Sequence, residues 1–444
     1  MPLSRRQFLK SATAATLFAG LPMTGTGCAN LNPARDTLAK ILIIGGGAEG
    51  VAMAAALHRE LPKATLTLVE PSEEHCYRAG LHLVATSFWK AKDISKREAE
   101  VLPSGLRWIQ ESVAGIDACQ NQVELVSGEV IRYDFLVLVP ELKRDWSSVP
   151  GLDDHVLGQG RLHSIDTPEA AAQARSAIQE LVRTGGRGIF VNGPTQMASD
   201  GVSQSLCLLT ENFASRRQTR SRLTFDYYTA TDDLFDIPFY TPRLEQIFKD
   251  RQIGVSTAFK LTGVEASASK AIFEDLRTGE THSEGFDCLL VAPMLSAPDF
   301  VRQSGLGWSE GDFAAGGWVM VDPKTLIHRD HANIIAFGDA AGLSSAKTLG
   351  AIKSQLPVAL ANLSSLIMDQ APSATYNGYT CCPILTDEGH ALMCEYDDSR
   401  RPTPTFPYSL FSPAEEQRLG WIITRYLQKP CYFHLTLRGQ TISA

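Results

Sequence analysis

The chain has 444 residues, 44% of them hydrophobic and 20% charged, and a formal net charge of −8. That length accommodates two or three domains with sizeable cores, and the acidic surplus argues against nucleic acid as a partner. Past the first few dozen residues there is no repeat, low-complexity tract or apolar run long enough to span a bilayer.

The chain opens with Ser4-Arg5-Arg6-Gln7-Phe8-Leu9-Lys10, followed by a weakly apolar stretch from Ser11 to Met23. The pattern fits a twin-arginine export signal over residues 1–28, a route that carries folded proteins, so a periplasmic location is expected. The stretch is too short, and too interrupted by Thr, Gly and Pro, for a permanent membrane span. Thr24-Gly25-Thr26-Gly27-Cys28 could serve as a lipoprotein cleavage site, although Gly25 stands where Leu or Val is usual. A lipid on Cys28 plus an amphipathic C-terminal surface would make the two membrane signals that stable anchoring requires.

The apolar run Lys40 to Ile44 leads into Gly45-Gly46-Gly47-Ala48-Glu49-Gly50, then a helical pattern from Val51 to Arg59, then a second strand-like run, Thr65 to Val69, ending on Glu70. Strand, glycines, helix, strand and acid in this order form a dinucleotide-binding fingerprint. Gly45 permits the tight turn, Gly47 lets a pyrophosphate approach the backbone, and Gly50 lets the helix pack close to the sheet. The helix N-terminus faces the phosphates. Glu70 stands where a carboxylate accepts hydrogen bonds from an adenosine ribose.

Alternating strand-like and helical segments predict an α/β fold with mostly parallel sheets. A first domain is expected over 37–155, resuming over 286–370. A second Rossmann-like domain, 156–285, carries a helix from Thr167 to Arg183 and strands at Gly188 to Val191 and Arg222 to Tyr228. The turn after Val191, Asn192-Gly193-Pro194-Thr195-Gln196-Met197, contains no GxGxxG. A nicotinamide dinucleotide therefore finds no phosphate cradle there, and another electron donor is expected. Farther on, Asn333-Ile334-Ile335-Ala336-Phe337-Gly338-Asp339-Ala340 reads as a buried strand ending in Gly-Asp. An acid there either caps the next helix or hydrogen-bonds the ribityl chain of a flavin. Together with the N-terminal fingerprint, this segment resembles the paired FAD motifs of two-dinucleotide-binding-domain flavoproteins, which implies FAD as cofactor. Tyr133 to Pro140 resembles that superfamily's intermediate strand, with Val139-Pro140-Glu141 replacing the usual Ala-Thr-Gly ending.

Nine cysteines occur, with no zinc spacing and no Cys-x-x-Cys-His haem motif. Cys119 and Cys288 lie in or beside strand-like runs and are expected to be buried hydrophobes. Cys381 and Cys382 sit in the turn-rich Tyr376-Asn377-Gly378-Tyr379-Thr380-Cys381-Cys382-Pro383. Here the sequence resembles the sulfide:quinone oxidoreductase family, in particular its mitochondrial-type branch. Glu70 to Tyr77, Gly317 to Asp322, Ala346-Lys347-Thr348, Thr405 to Tyr408 and Leu437-Arg438-Gly439 share the likeness, which extends from about residue 40 to 439.

The resemblance implies sulfide as donor, quinone as acceptor, and Cys382 as one of two redox cysteines, with Lys347 near the pyrimidine edge of the flavin. The family's other redox cysteine falls on the stretch Gln196-Met197-Ala198-Ser199-Asp200-Gly201, where Met197 cannot form a disulfide. Three replacements stay open: Cys207 could reach the site, Cys381 and Cys382 could form a vicinal disulfide, or one thiol could act alone. A changed substrate, or loss of sulfide chemistry in a chain that still binds flavin, is the remaining possibility, and a periplasmic cytochrome is an alternative acceptor. The cysteine that binds FAD covalently in the flavocytochrome relatives falls on Arg78, so non-covalent FAD is expected even with Cys76 two positions away. His75 and Glu141 are further polar candidates near the site. The last segment, 371–444, contains Leu419 to Leu427 and Cys431 to Arg438, apolar runs with Arg and Lys at their edges. They fit either a membrane-facing surface or an ordinary core-facing helix.

Overall fold

A computed structural model describes residues 36–193 and 200–440; the arginine pair, Cys28 and Met197 lie outside that range. In chain order the elements that position the site are β1 Lys40–Ile44, α1 Ala48–Glu60, β2 Thr65–Val69, β3 Arg107–Ile109, β4 Phe135–Leu138, β5 Leu162–His163, α2 Pro168–Thr184, β6 Gly186–Val191, α3 Asp200–Arg216, β7 Leu223–Tyr228, β8 Ile253–Ser256 and β9 Cys288–Val291. They continue with β10 Ile334–Ile335, α4 Leu349–Ile367, β11 Thr380–Asp387, β12 His390–Tyr396, α5 Arg418–Ile422 and α6 Gln428–His434.

Two five-stranded sheets organise the chain, in the orders β10-β4-β1-β2-β3 and β5-β9-β6-β7-β8. Every pairing within them is parallel. Runs such as Ile41 to Ile44 are apolar without alternation because both faces are covered, as parallel sheets require. In α2 the sequence signals act together. Thr167 Oγ1 accepts the Ala170 N–H at 3.1 Å, Pro168 occupies the first turn, and Ala171, Ala174, Ile178 and Leu181 form the buried stripe.

The expected α/β fold with two parallel nucleotide-type sheets is what the structure contains. One boundary differs. The first domain was expected to resume at 286, but Cys288–Val291 is β9, held between β5 and β6 in the second sheet. A short run buried on both faces reads alike in either sheet, so only pairing assigns it. The crossing back is made by Lys143–Asp145 against Met294–Ser296, an antiparallel pair joining the segments that leave and re-enter the first sheet. Helix α1 begins at Ala48, ahead of the expected Val51, so Gly50 lies in its first turn. Cys288 is buried as expected, whereas Cys119 is exposed in a turn.

The C-terminal segment forms an antiparallel ribbon, β11 with β12, followed by α5, a π-helical turn at Ile423–Leu427, and α6. It is pinned to the first sheet from inside. Buried His75, just beyond β2, shares Nδ1 with Glu98 Oε2 at 3.0 Å and the Gly46 carbonyl at 3.1 Å, and its Nε2 meets the Tyr432 hydroxyl of α6 at 2.7 Å. No helix among the described residues is long and apolar enough to cross a membrane.

The packing between β1 and α1 sets a sharp steric limit. A Cβ on Gly50 would lie 1.8 Å from the Gly45 carbonyl oxygen, a backbone atom that cannot step aside alone. Gly50→Ala is expected to cost at least ~1–3 kcal/mol through forced overpacking and to lower retained flavin, read by thermal denaturation and by flavin absorbance per chain.

Candidate functional site

The carboxyl ends of β1, β2, β4 and β10 meet at one crevice, the place where an open parallel sheet receives its ligand. Gly45, at φ +110°, turns the chain out of β1; a Cβ there would sit 2.0 Å from the carbonyl oxygen of Val139, the residue after β4. Gly47 is the N-cap of α1 and supplies no capping side chain. A Cβ on it would meet only Glu49 Oε2, at 3.1 Å, so the first amides of the helix face outward over an open approach. Glu70, at the end of β2, accepts the N–H groups of Gly46 at 2.7 Å and Ser72 at 2.8 Å. Its burial raises the carboxyl pKa, and these two amides act against the rise.

Gly338 and Asp339 follow β10 and lie over the start of α1. The Gly338 N–H is held by Gln355 of α4 at 2.6 Å, and the Asp339 N–H by Glu49 Oε1 at 3.1 Å. Lys347 donates from Nζ to the carbonyl oxygens of Asp339 and Ala341, and the same ammonium sits 4.1 Å from the centre of the Trp318 ring. Burial lowers its pKa to about 8, against the pull of Asp339 and Glu49. Arg78 and Glu141 pair at 2.6 Å on the same side of the crevice. His75 and Glu141 therefore part company: Glu141 lines the crevice with Arg78, while His75 is a buried strut. Cys76, at the end of the short strand Glu74–Cys76 that also carries His75, is a half-buried thiol pushed up to about 12 by desolvation.

Sequence reasoning passed over Glu49. It is buried, and its pKa is raised to about 8, first by desolvation and then by the Asp339 carboxylate beside it. An acid inside a glycine fingerprint reads as a helix-start residue favoured by the helix dipole; burial in the folded chain, together with the approach of Asp339 from a segment 290 residues away, makes it a carboxyl whose pKa is raised.

The cysteines sort by the pleat of the ribbon. Neighbouring residues of an extended strand point to opposite faces, so Cys381 and Cys382 part. Cys381 stands opposite Glu395 and against the start of α4, where a Cβ on Gly350 would lie 2.9 Å from its Cβ. Its thiol pKa is driven well above the usual value by burial and then by the Glu395 carboxylate. That carboxylate accepts from the Tyr379 hydroxyl at 2.9 Å and the Thr405 hydroxyl at 3.0 Å. Cys382 is buried on the other face, opposite Cys394 in the register of β12. There it meets the first turn of α3, where a Cβ on Gly201 would come within 2.6 Å of the Cys382 Sγ.

This placement bears on two of the expected replacements. A vicinal Cys381–Cys382 bond is opposed by their opposite facings. Cys207 is buried in the same helix as Gly201, but six residues on. At a rise of 1.5 Å per residue that is ~9 Å along the axis from Gly201 and more than a quarter turn away in facing. Cys207 instead neighbours Glu211, Asp226, Arg220 and Arg251, and burial holds its pKa well above the usual value.

No family model matches the chain. The mouse mitochondrial sulfide:quinone oxidoreductase is 30% identical over 411 residues, covering 90% of this chain and 86% of the mouse protein. The Dictyostelium discoideum mitochondrial sulfide:quinone oxidoreductase is 28% identical over 402 residues, 90% of this chain and 86% of its own. The chain belongs to the sulfide:quinone oxidoreductase family. The solved sulfide:quinone oxidoreductase of Aquifex aeolicus superposes with a TM-score of 0.76 at 20% identity, covering 91% of this chain and 93% of that one, and shares its fold. Sulfide:quinone oxidoreductases are flavin-dependent, and the crevice fits such a group. It combines an uncapped helix N-terminus approached over Gly47, the acids Glu70 and Asp339 for hydroxyls, and a cation at Lys347. Among the described residues no cluster of His, Cys, Asp or Glu is built to hold a metal.

The Glu49 carboxyl gives a pH signature. An acid whose folded pKa lies above its unfolded value stabilises below the unfolded pKa, and that contribution is lost as pH rises through the folded one. Flavin-depleted wild type is therefore expected to lose thermal stability between about pH 4.5 and pH 8 relative to Glu49→Gln, which keeps the acceptor for the Asp339 N–H. The gap between the two should reach ~5 kcal/mol at the alkaline end, read by melting curves across pH.

Proposed function

We propose that this enzyme is an exported sulfide oxidase of the bacterial periplasm that holds FAD without a covalent bond and passes the electrons to quinone at a membrane surface. The observation that carries the sulfide reading is Cys382, buried against the first turn of α3 at the end of the chain that the mitochondrial sulfide:quinone oxidoreductases match. Gly45, Gly47 and Gly50 shape the pyrophosphate approach, and Glu70 receives the adenosine ribose. Gly338 and Asp339 receive the ribityl chain. Flavin supplies a two-electron acceptor that can discharge to a quinone. Lys347, fixed by two carbonyl oxygens, places positive charge where negative charge would gather on a reduced ring. The second sheet is the other Rossmann-like unit, and its turn after Val191 offers no glycine cradle for a nicotinamide donor.

Support for membrane contact comes from the C-terminal surface. Phe406, Leu410, Phe411, Ile422, Tyr426 and Leu427 are exposed, and Arg425 and Lys429 lie over the Trp89 ring at 5.1 and 4.4 Å beside them. Apolar and aromatic side chains edged by cations suit the headgroup boundary.

Anaerobic addition of sulfide to the flavin-loaded enzyme is expected to bleach the flavin absorbance, and a soluble quinone to restore it. Cys382→Ser should abolish bleaching while keeping flavin bound; bleaching at the wild-type rate in that variant refutes the assignment. Reoxidation by a haem protein with indifference to quinone would replace quinone by a cytochrome as acceptor. Ile422→Ser combined with Tyr426→Ser should reduce sedimentation with anionic lipid vesicles and leave flavin content unchanged.

A further inference from the structure

We propose that Cys394 is the redox partner of Cys382, the two closing a cross-strand disulfide that accepts sulfide in place of the bond Met197 cannot make. The inference rests on the sulfide-oxidising function proposed above. Its basis is register. Cys382 and Cys394 are direct partners in the antiparallel β11–β12 ribbon, and directly opposed residues share a face. Their Cα atoms lie ~4.5 or ~5.5 Å apart, depending on which kind of pair they form. Both values fall inside the ~4.4–6.8 Å window of disulfides. Both residues are buried, at 1% and 0% exposure, so the bond forms inside the protein. The thiol pKa of Cys394 is raised by burial first and by Cys382 next, as expected of adjacent sulfurs.

The surroundings also assign direction. Cys382 Sγ lies at the N-terminal turn of the 17-residue α3, where the helix dipole favours an anion and lowers the cost of a thiolate. Hydrosulfide therefore attacks Cys394: a bond forms between the incoming sulfur and Cys394 Sγ, and the Cys382–Cys394 bond breaks. Its electron pair leaves on Cys382 as thiolate, and the hydrosulfide proton stays on the outer sulfur of the Cys394 persulfide. The incoming sulfur is oxidised and the disulfide is reduced; a bound flavin would supply the two-electron acceptor.

The test is peptide mapping of the holoenzyme purified without reductant, with thiols alkylated before digestion. Cleavage after Glu388 separates the two cysteines, so a bond between them leaves the two peptides linked. The link is expected in wild type and in Cys381→Ser, and absent in Cys394→Ser. Anaerobic sulfide should open it and add one sulfur atom to the Cys394 peptide. Cys394→Ser and Cys394→Ala should retain flavin and lose bleaching. If wild type bleaches while Cys382 and Cys394 both alkylate without reductant, or if a flavin-loaded Cys394 variant bleaches at the wild-type rate, the inference is overturned and the sulfide function stands. If wild type does not bleach, the sulfide function itself fails, and this inference with it. If both Cys394 variants lose flavin, the wild-type map decides alone.

Discussion

The approach of bare backbone to bare backbone at the β1–α1 turn is the constraint on which the site depends. A Cβ on Gly50 would strike the Gly45 carbonyl, and one on Gly45 would strike Val139. Removing both side chains lets α1 start directly on the sheet, so its amides face the crevice beside β4. Glu49 then lies under Gly338 and accepts the Asp339 N–H. Two segments far apart in the chain thus become one cofactor cradle, and the cost is a pair of acids buried together. That cost is met by holding a proton on Glu49 and by placing the Lys347 ammonium nearby.

The C-terminal ribbon depends on this cradle for position and contributes chemistry of its own. Tyr432 reaches through to His75, and His75 touches the Gly46 carbonyl, so the last helices are bonded to the glycine turn itself. From that anchorage β11 runs along α3: Gly201 lies against Cys382, and the Ser205 hydroxyl accepts the Leu385 N–H at 2.9 Å. The pleat then gives each cysteine a separate environment. One face presents Cys381 to Glu395 and α4, the other buries Cys382 with Cys394. A ribbon that sorts adjacent cysteines to opposite faces can hold one sulfur in a redox pair and another beside a carboxylate.

Much of the fold was legible because parallel strands between helices leave long apolar runs with glycine punctuation. β1, β2, β6 and β7 fall where the runs lie, and the glycines and acids of the two motifs, Gly45 to Glu70 and Gly338-Asp339, converge on one crevice. β9 was misassigned because a run buried on both faces carries no mark of which sheet it joins. Cys119 was misread for a related reason: proximity to a strand does not specify which way a turn residue faces. Whether Cys207 faces Cys382 was likewise beyond the sequence, since a spacing of ten residues from Met197 says nothing of axial rise or facing.

Family and cofactor class were determined by the order of residues along the chain, because fingerprints work through local spacing of glycines, acids and cysteines. What stands beside Cys382 was decided only by tertiary structure. Its partner position, Cys394, follows from the hairpin register of β11 and β12, and register depends on how a turn closes and which face packs on α3. The proton held by Glu49 was likewise decided in space, by the approach of Asp339 across the fold in a site where burial makes two neighbouring negative charges too costly to coexist.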